Sequence, residues 1–207
     1  MSQINLAVVY YSATGAGTEI AGEMSRAATE AGAEVRVRKV AELAPPAAIE
    51  ANPAWAAHHA ATADVPAPGF DDLEWADAVI FGSPTRFGNI ASQLKQFFDT
   101  LSPLWVQGKL AGKVYSGFTS AATRHGGHES TLLAMYNTIH HFGGIIVPPG
   151  YTDPVKFVDG NPYGTSHHVS NGSEAASVDT DTRNAARHQA ERVVTIAGAL
   201  KRGHAAA

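Results

Sequence analysis

The feature that most constrains this chain is a repeated cycle: a short, nearly unbroken apolar run, a loop of small residues, then apolar residues at helical spacing. Ile4-Asn5-Leu6-Ala7-Val8-Val9-Tyr10-Tyr11 opens the first cycle. Successive strand side chains point to opposite faces, so a run apolar at consecutive positions predicts a strand covered on both sides. Ile20, Met24, Ala27, Ala28 and Ala31 then recur at helical spacing, and Gly32 offers a stop. Val35, Val37 and Val40, set among Arg36, Arg38 and Lys39, predict a second strand nearer an edge. The cycle resumes with Ala78-Val79-Ile80-Phe81-Gly82, a loop from Ser83 to Asn89, and a helix turning Leu94, Phe97, Phe98 and Leu101 inward. Lys113 to Thr119 predicts a fourth strand and Glu129 to Phe142 a helix. Gly143 to Val147 predicts a fifth strand, stopped by Pro148-Pro149-Gly150, and about Asp181 to Lys201 a last helix.

Five strands alternating with helices imply an α/β fold: a doubly wound parallel sheet with helices on both faces. Parallel neighbours need crossover connections, and the crossovers must cover the sheet. At 207 residues and 44% hydrophobic content, the chain can bury one substantial core and is short for two, so residues 1–207 are expected as a single domain. Residues 41–70, with Pro45, Pro46, Pro53, Pro66 and Pro68, read as an irregular excursion containing at most a helical turn near Ile49. Residues 150–178 read as a second, turn-rich insertion of unassigned conformation.

Lys and Arg number 15 against 19 Asp and Glu, which leaves no basic footprint for nucleic acid or an anionic membrane. Cysteine is absent, which excludes disulfides and thiolate metal sites. No apolar stretch approaches the roughly 20 residues of a membrane span, so a soluble, unexported, cytoplasmic protein is expected. Histidines pair at His58-His59, His125 with His128, His140-His141 and His167-His168, yet no paired carboxylate stands at ligand spacing, so no metal is expected.

In open α/β sheets ligands bind at the carboxyl ends of the strands, where the strand order reverses. The first such loop, Ser12-Ala13-Thr14-Gly15-Ala16-Gly17-Thr18, combines hydroxyls and glycines ahead of a helix, the composition of a phosphate cradle or of an ordinary helix cap. It lacks the Gly-Lys-Ser/Thr of a P-loop, and Ile20 stands where a dinucleotide fingerprint starting at Gly15 needs a small residue. In the second loop Pro84 and Gly88 frame Thr85-Arg86-Phe87, which could support a flat aromatic ligand or form a plain turn with an exposed arginine. The third, Thr119-Ser120-Ala121-Ala122-Thr123-Arg124-His125-Gly126-Gly127-His128, again offers small residues that permit close backbone approach.

With Tyr10-Tyr11-Ser12, Phe81 to Asn89, Leu104-Trp105, His140-His141-Phe142-Gly143 and Val147 to Tyr151 in this order, the chain resembles the WrbA family of FMN-dependent NAD(P)H:quinone oxidoreductases. The resemblance implies a flavodoxin-like fold and a homotetramer. It implies that Ser12 to Gly17 hold the FMN phosphate, that Thr85, Arg86 and Phe87 contact the flavin ring and ribityl chain, and that Ser120 to His125 border the ring. Trp105 and His140 would line the pocket where nicotinamide and quinone stack, with His140 bonding a quinone oxygen or the flavin edge. Thr14 replaces a tyrosine proposed to touch the nicotinamide, and Thr18 would supply the hydroxyl that Gly17 lacks. Two-electron, ping-pong transfer is the implied reaction; a one-electron flavodoxin-type carrier is the alternative.

Overall fold

The computed structural model describes residues 3–169 and 177–205. In chain order the elements are β1 Ile4–Tyr10, α1 Ala16–Glu30, β2 Ala33–Lys39, α2 Pro46–Glu50, α3 Pro53–Ala61, α4 Phe70–Trp75, β3 Ala78–Arg86 and β4 Asn89–Ile90. They continue with α5 Ser92–Thr100, α6 Ser102–Val106, β5 Val114–Ala121, α7 His128–Phe142, β6 Ile145–Ile146, α8 Val155–Asp159, β7 Thr165–His168 and α9 Thr180–Ala205.

The sheet runs β2-β1-β3-β5-β6, with every pair along that path parallel. The chain leaves β1 toward β2 and returns to the other side as β3, so the order reverses between β1 and β3. Alternation along β1 divides the core. Leu6, Val8 and Tyr10 face the layer of α1 and α9, where Ile20, Met24, Ala190 and Val193 pack. Ala7, Val9 and Tyr11 face the opposite layer with Phe81, Leu94, Phe98 and Met135. The doubly wound architecture follows from strands apolar on both faces, as the sequence predicts.

Three expectations need correction. The fifth strand is split. Only Ile145–Ile146 pairs with β5, at Val114 and Tyr115, because Pro148 and Pro149 follow at once. The rest of that edge is completed by β7, which pairs in parallel with Phe118 to Ala121. Buried Gln189 holds β7 in place: its Oε1 accepts Thr165 N–H at 2.7 Å, and its Nε2 donates to Gly117 O at 2.8 Å. This strand lies inside the stretch 150–178, of which 170–176 fall outside the described residues.

The excursion 41–70 is not irregular. Pro46 and Pro53 stand in the first turns of α2 and α3, where a missing N–H costs nothing, and Asn52 caps α3 by accepting Trp55 N–H at 3.1 Å. The segment Ser83 to Asn89 is a hairpin rather than an open loop. β3 runs on to Arg86 and turns through Phe87 (φ 52°) and Gly88 (φ 77°) into antiparallel β4. Two positive φ angles are the signature of a tight type I′ turn.

Candidate active site

Strand carboxyl ends and helix amino ends meet around a cavity of about 420 Å³ at the reversal between β1 and β3. Its wall comes from Ser12, Ala13, Thr14 and Ala16 after β1, Pro84, Thr85 and Arg86 at the end of β3, and Ser120 to Thr123 after β5. Asn52 and Trp55 from the excursion close one side, and Gly126 and Val169 complete the lining.

The first loop is built to present N–H groups. Ser12, buried to 4% exposure, accepts Gly15 N–H on its Oγ at 3.1 Å and so folds the loop back on itself. Gly15, at φ 115°, is the N-cap of α1, a conformation that a side chain would strain. No side chain caps α1, and among the described residues the N–H groups of Ala16 and Gly17 find no protein acceptor. That leaves the positive end of a 15-residue helix aimed at the cavity.

The other two loops brace each other. Thr85 Oγ donates to Gly126 O at 3.2 Å and accepts from Thr131 Oγ at 2.8 Å and from Gly88 N–H at 3.3 Å. A Cβ on Gly127, at φ 99°, would lie 2.7 Å from Gly88 Cα, so the hairpin tip and the third loop touch through bare backbone. Below them Thr119 Oγ donates to Ser83 O at 2.7 Å and Val169 N–H to Ala121 O at 2.8 Å, which ties β7 to the floor.

Several residues expected at the site stand elsewhere. Thr18 does not line the cavity; its hydroxyl is paired with His58 Nε2 at 2.7 Å. Gly15, Gly17 and Gly88 shape the loops from behind the lining. Phe87 is fully exposed at the hairpin tip, and Arg124 and His125 lie exposed outside the lining. His140 and Trp105 stand away from the cavity, and it is His141, the neighbour of His140, that Trp105 meets. α7 begins beside the cavity and runs away from it, so His140 lies about 18 Å along the helix axis from His128. There Trp105 Nε1 donates to His141 O at 2.7 Å, with the indole 52% exposed.

Sequence reasoning missed Asn52, Trp55, His58 and Glu42, all in the excursion. Glu42 is its hub: the carboxylate accepts Tyr11 OH at 2.7 Å, Trp55 Nε1 at 3.0 Å, Gln93 Nε2 at 2.7 Å and the N–H groups of Leu43 and Ala44. Burial pushes this carboxyl upward, but the donors from Ala44, Tyr11, Gln93 and Trp55 outweigh it and hold the group below its ordinary range. Burial, with Lys39 and His59 nearby, pushes the His58 imidazole down, keeping it neutral at pH 7.

The model of the NADPH-dependent FMN reductase family matches residues 7–153. The chain belongs to that family. A protein of Deinococcus radiodurans named NAD(P)H dehydrogenase (quinone) is 47% identical to it, covering 95% of this chain and 97% of the relative. One of the same name from Sinorhizobium fredii is 39% identical, over 93% of this chain and 96% of the relative. Among solved structures, the WrbA-like flavodoxin of Agrobacterium tumefaciens superposes with TM-score 0.68 at 23% identity, over 95% of this chain and 99% of that one. An archaeal flavodoxin gives TM-score 0.57 at 17% identity, over 96% and 99%. The family member described here has a flavodoxin-like fold.

Proposed function

We propose that this protein is an FMN-dependent NAD(P)H:quinone oxidoreductase whose flavin occupies the cavity between the loops after β1, β3 and β5. The observation that carries the reading is the uncapped start of α1 at one end of that cavity, with two mutually braced loops at the other. A phosphate fits the first end: Ala16 and Gly17 supply N–H donors, and Ser12 Oγ, which accepts from Gly15, keeps its own proton for an acceptor. A planar ring fits the second, where Thr85 and Ser120 to Thr123 offer small side chains and backbone beside Arg86.

Bound FMN would supply the chemistry, taking two electrons as hydride from NAD(P)H and, with a proton from solvent, passing them to a quinone to give the hydroquinone. The chain's own part is to orient. The braced pair of loops fixes one face of the slot, leaving a single open face for nicotinamide and quinone in turn, hence a ping-pong sequence. His140 and Trp105 lie too far from this chain's cavity to serve it. They would act on a neighbour's site in a homotetramer, a role supported by the exposed Trp105 and Val106 at 52% and 76%.

The test is anaerobic titration of the flavin-free protein with FMN and riboflavin, followed by NADH and then a benzoquinone. Tighter binding of FMN, bleaching of the flavin band by NADH and its return with quinone are the expected results. Equal affinity for riboflavin would remove the phosphate assignment, and bleaching that quinone does not reverse would remove the reductase assignment.

A further inference from the structure

His58 lies in the excursion between β2 and β3, outside the three strand-end loops of the cavity, yet it spans the first of them from behind. Its Nδ1 is 3.0 Å from Ala13 O and its Nε2 is 2.7 Å from Thr18 Oγ. Its Cδ2 stands 3.6 Å from where a Cβ on Gly15 would be. Ala13 and Thr18 bracket the turn at Gly15, so one imidazole ties the loop's incoming and outgoing arms together. We propose that His58 is a positioning residue for the phosphate loop, a latch that turns the Ala13 carbonyl out of the cavity and keeps the loop's N–H groups aimed at a bound phosphate. The proposal rests on the FMN reading above.

The chemistry of the two partners sets the tautomer. A carbonyl oxygen has no proton, so the bond to Ala13 requires hydrogen on Nδ1. The neutral ring then has a bare Nε2, which accepts the Thr18 hydroxyl. This matters for an anion site, because a carbonyl facing the cavity would repel the phosphate, and the Nδ1–H gives it a partner on the outside. The same geometry explains why Thr18 does not line the cavity.

The latch is itself fixed. Asn52 caps its helix, Trp55 ties that helix to Glu42, and Thr62 Oγ donates to His58 O at 2.7 Å while accepting Lys39 Nζ at 2.6 Å. The charged and titratable groups facing His58 are Lys39 from β2 and His59 on its own helix. Tyr10 reaches the same Thr18 hydroxyl from β1, with its phenol pushed up by burial. With burial, Lys39 and His59 all opposing a second proton, the neutral tautomer is the resting form.

The experiment compares wild type, His58→Gln and His58→Leu for FMN and riboflavin affinity, with side-chain 15N NMR of the flavin-free full chain as an independent readout. Glutamine carries a donor and an acceptor at similar separation, so His58→Gln should keep FMN affinity within about threefold. His58→Leu should weaken FMN about tenfold with riboflavin unchanged, a split that a merely structural role would not produce. The NMR spectrum should show the Nδ1–H tautomer at pH 7. An Nε2–H tautomer, unchanged FMN selectivity in His58→Leu, or equal loss of both flavins in His58→Leu would each overturn the latch. Equal affinity of wild type for the two flavins would instead overturn the phosphate-loop reading, and the latch's role with it.

Discussion

The Trp55 indole donates to the Glu42 carboxylate at 3.0 Å, so a residue on the cavity wall is held by a carboxylate two elements away from any loop of the site. The bond makes the excursion a structural part of the cavity rather than an ornament on the fold.

Removing the Glu42 charge should therefore loosen that wall. Glu42→Gln leaves one oxygen to serve several donors, and each lost bond to a charged acceptor is worth about 1.5–3 kcal/mol. The folded carboxyl sits below its ordinary range, so its contribution is present above the unfolded value of about 4.3 and is lost as pH falls through the lower folded value. Urea unfolding should show the variant less stable at pH 7 and the difference closing below about pH 4. A gap independent of pH would rule out the charge as its source.

Ser12→Ala should weaken FMN binding by about 1.5–3 kcal/mol, through loss of a donor to a charged phosphate. Riboflavin affinity should hardly move. Fluorescence titration with both flavins separates a phosphate contact from general loosening of the loop, which would weaken both.

Phe87 adopts a left-handed conformation at φ 52° while fully exposed, so among the described residues no packing of its ring offsets the strain of about 1–2 kcal/mol that such a residue carries. Phe87→Gly should raise the melting temperature by several degrees, and if the ring meets a substrate or a neighbouring chain, quinone turnover should fall at the same time. Calorimetry with no rise in melting temperature would show that the turn is unstrained.

His140→Ala and Trp105→Phe should lower quinone turnover more than they lower FMN affinity, and initial-rate plots for wild type should be parallel. Dilution through a dissociation transition seen by sedimentation should lower turnover in step. A monomer with full specific activity would mean that both residues act, if at all, outside the electron transfer.

The parallel sheet was legible because β1, β3 and β5 are buried on both faces and so announce themselves as apolar runs. Ser12, Thr85 and Ser120 were legible because loops at strand ends have few reasons to be rich in small and hydroxyl residues together. β7 was not, since Thr165-Ser166-His167-His168 carries no apolar pattern and owes its place to Gln189, 24 positions later. Nor was α3: Pro53 and a run of alanines look like irregular chain until Asn52 is seen capping them and Glu42 anchoring Trp55. What sequence pattern conveys is burial; what it omits is long-range polar pairing, and His58, Glu42 and Gln189 all work through that. His140 and Trp105 show the complementary gap, because one chain's pattern does not say which end of a helix a site will use.

The divided edge of the sheet also bears on how the molecule breathes. β7 is joined to β5 across a long excursion of chain, pairs on one side only and is held from α9 by Gln189 and by Thr182 beside His167, whereas β1 is sandwiched between two full-length neighbours. Amides of Thr165 to His168 are then among the first in the sheet to exchange with solvent, in an opening that leaves the centre intact. Because Val169 belongs to the cavity floor and hangs from the same strand, whatever fills the cavity slows that opening from above. The edge strand thus becomes a clock for occupancy: its exchange rate reports how long the site stays filled.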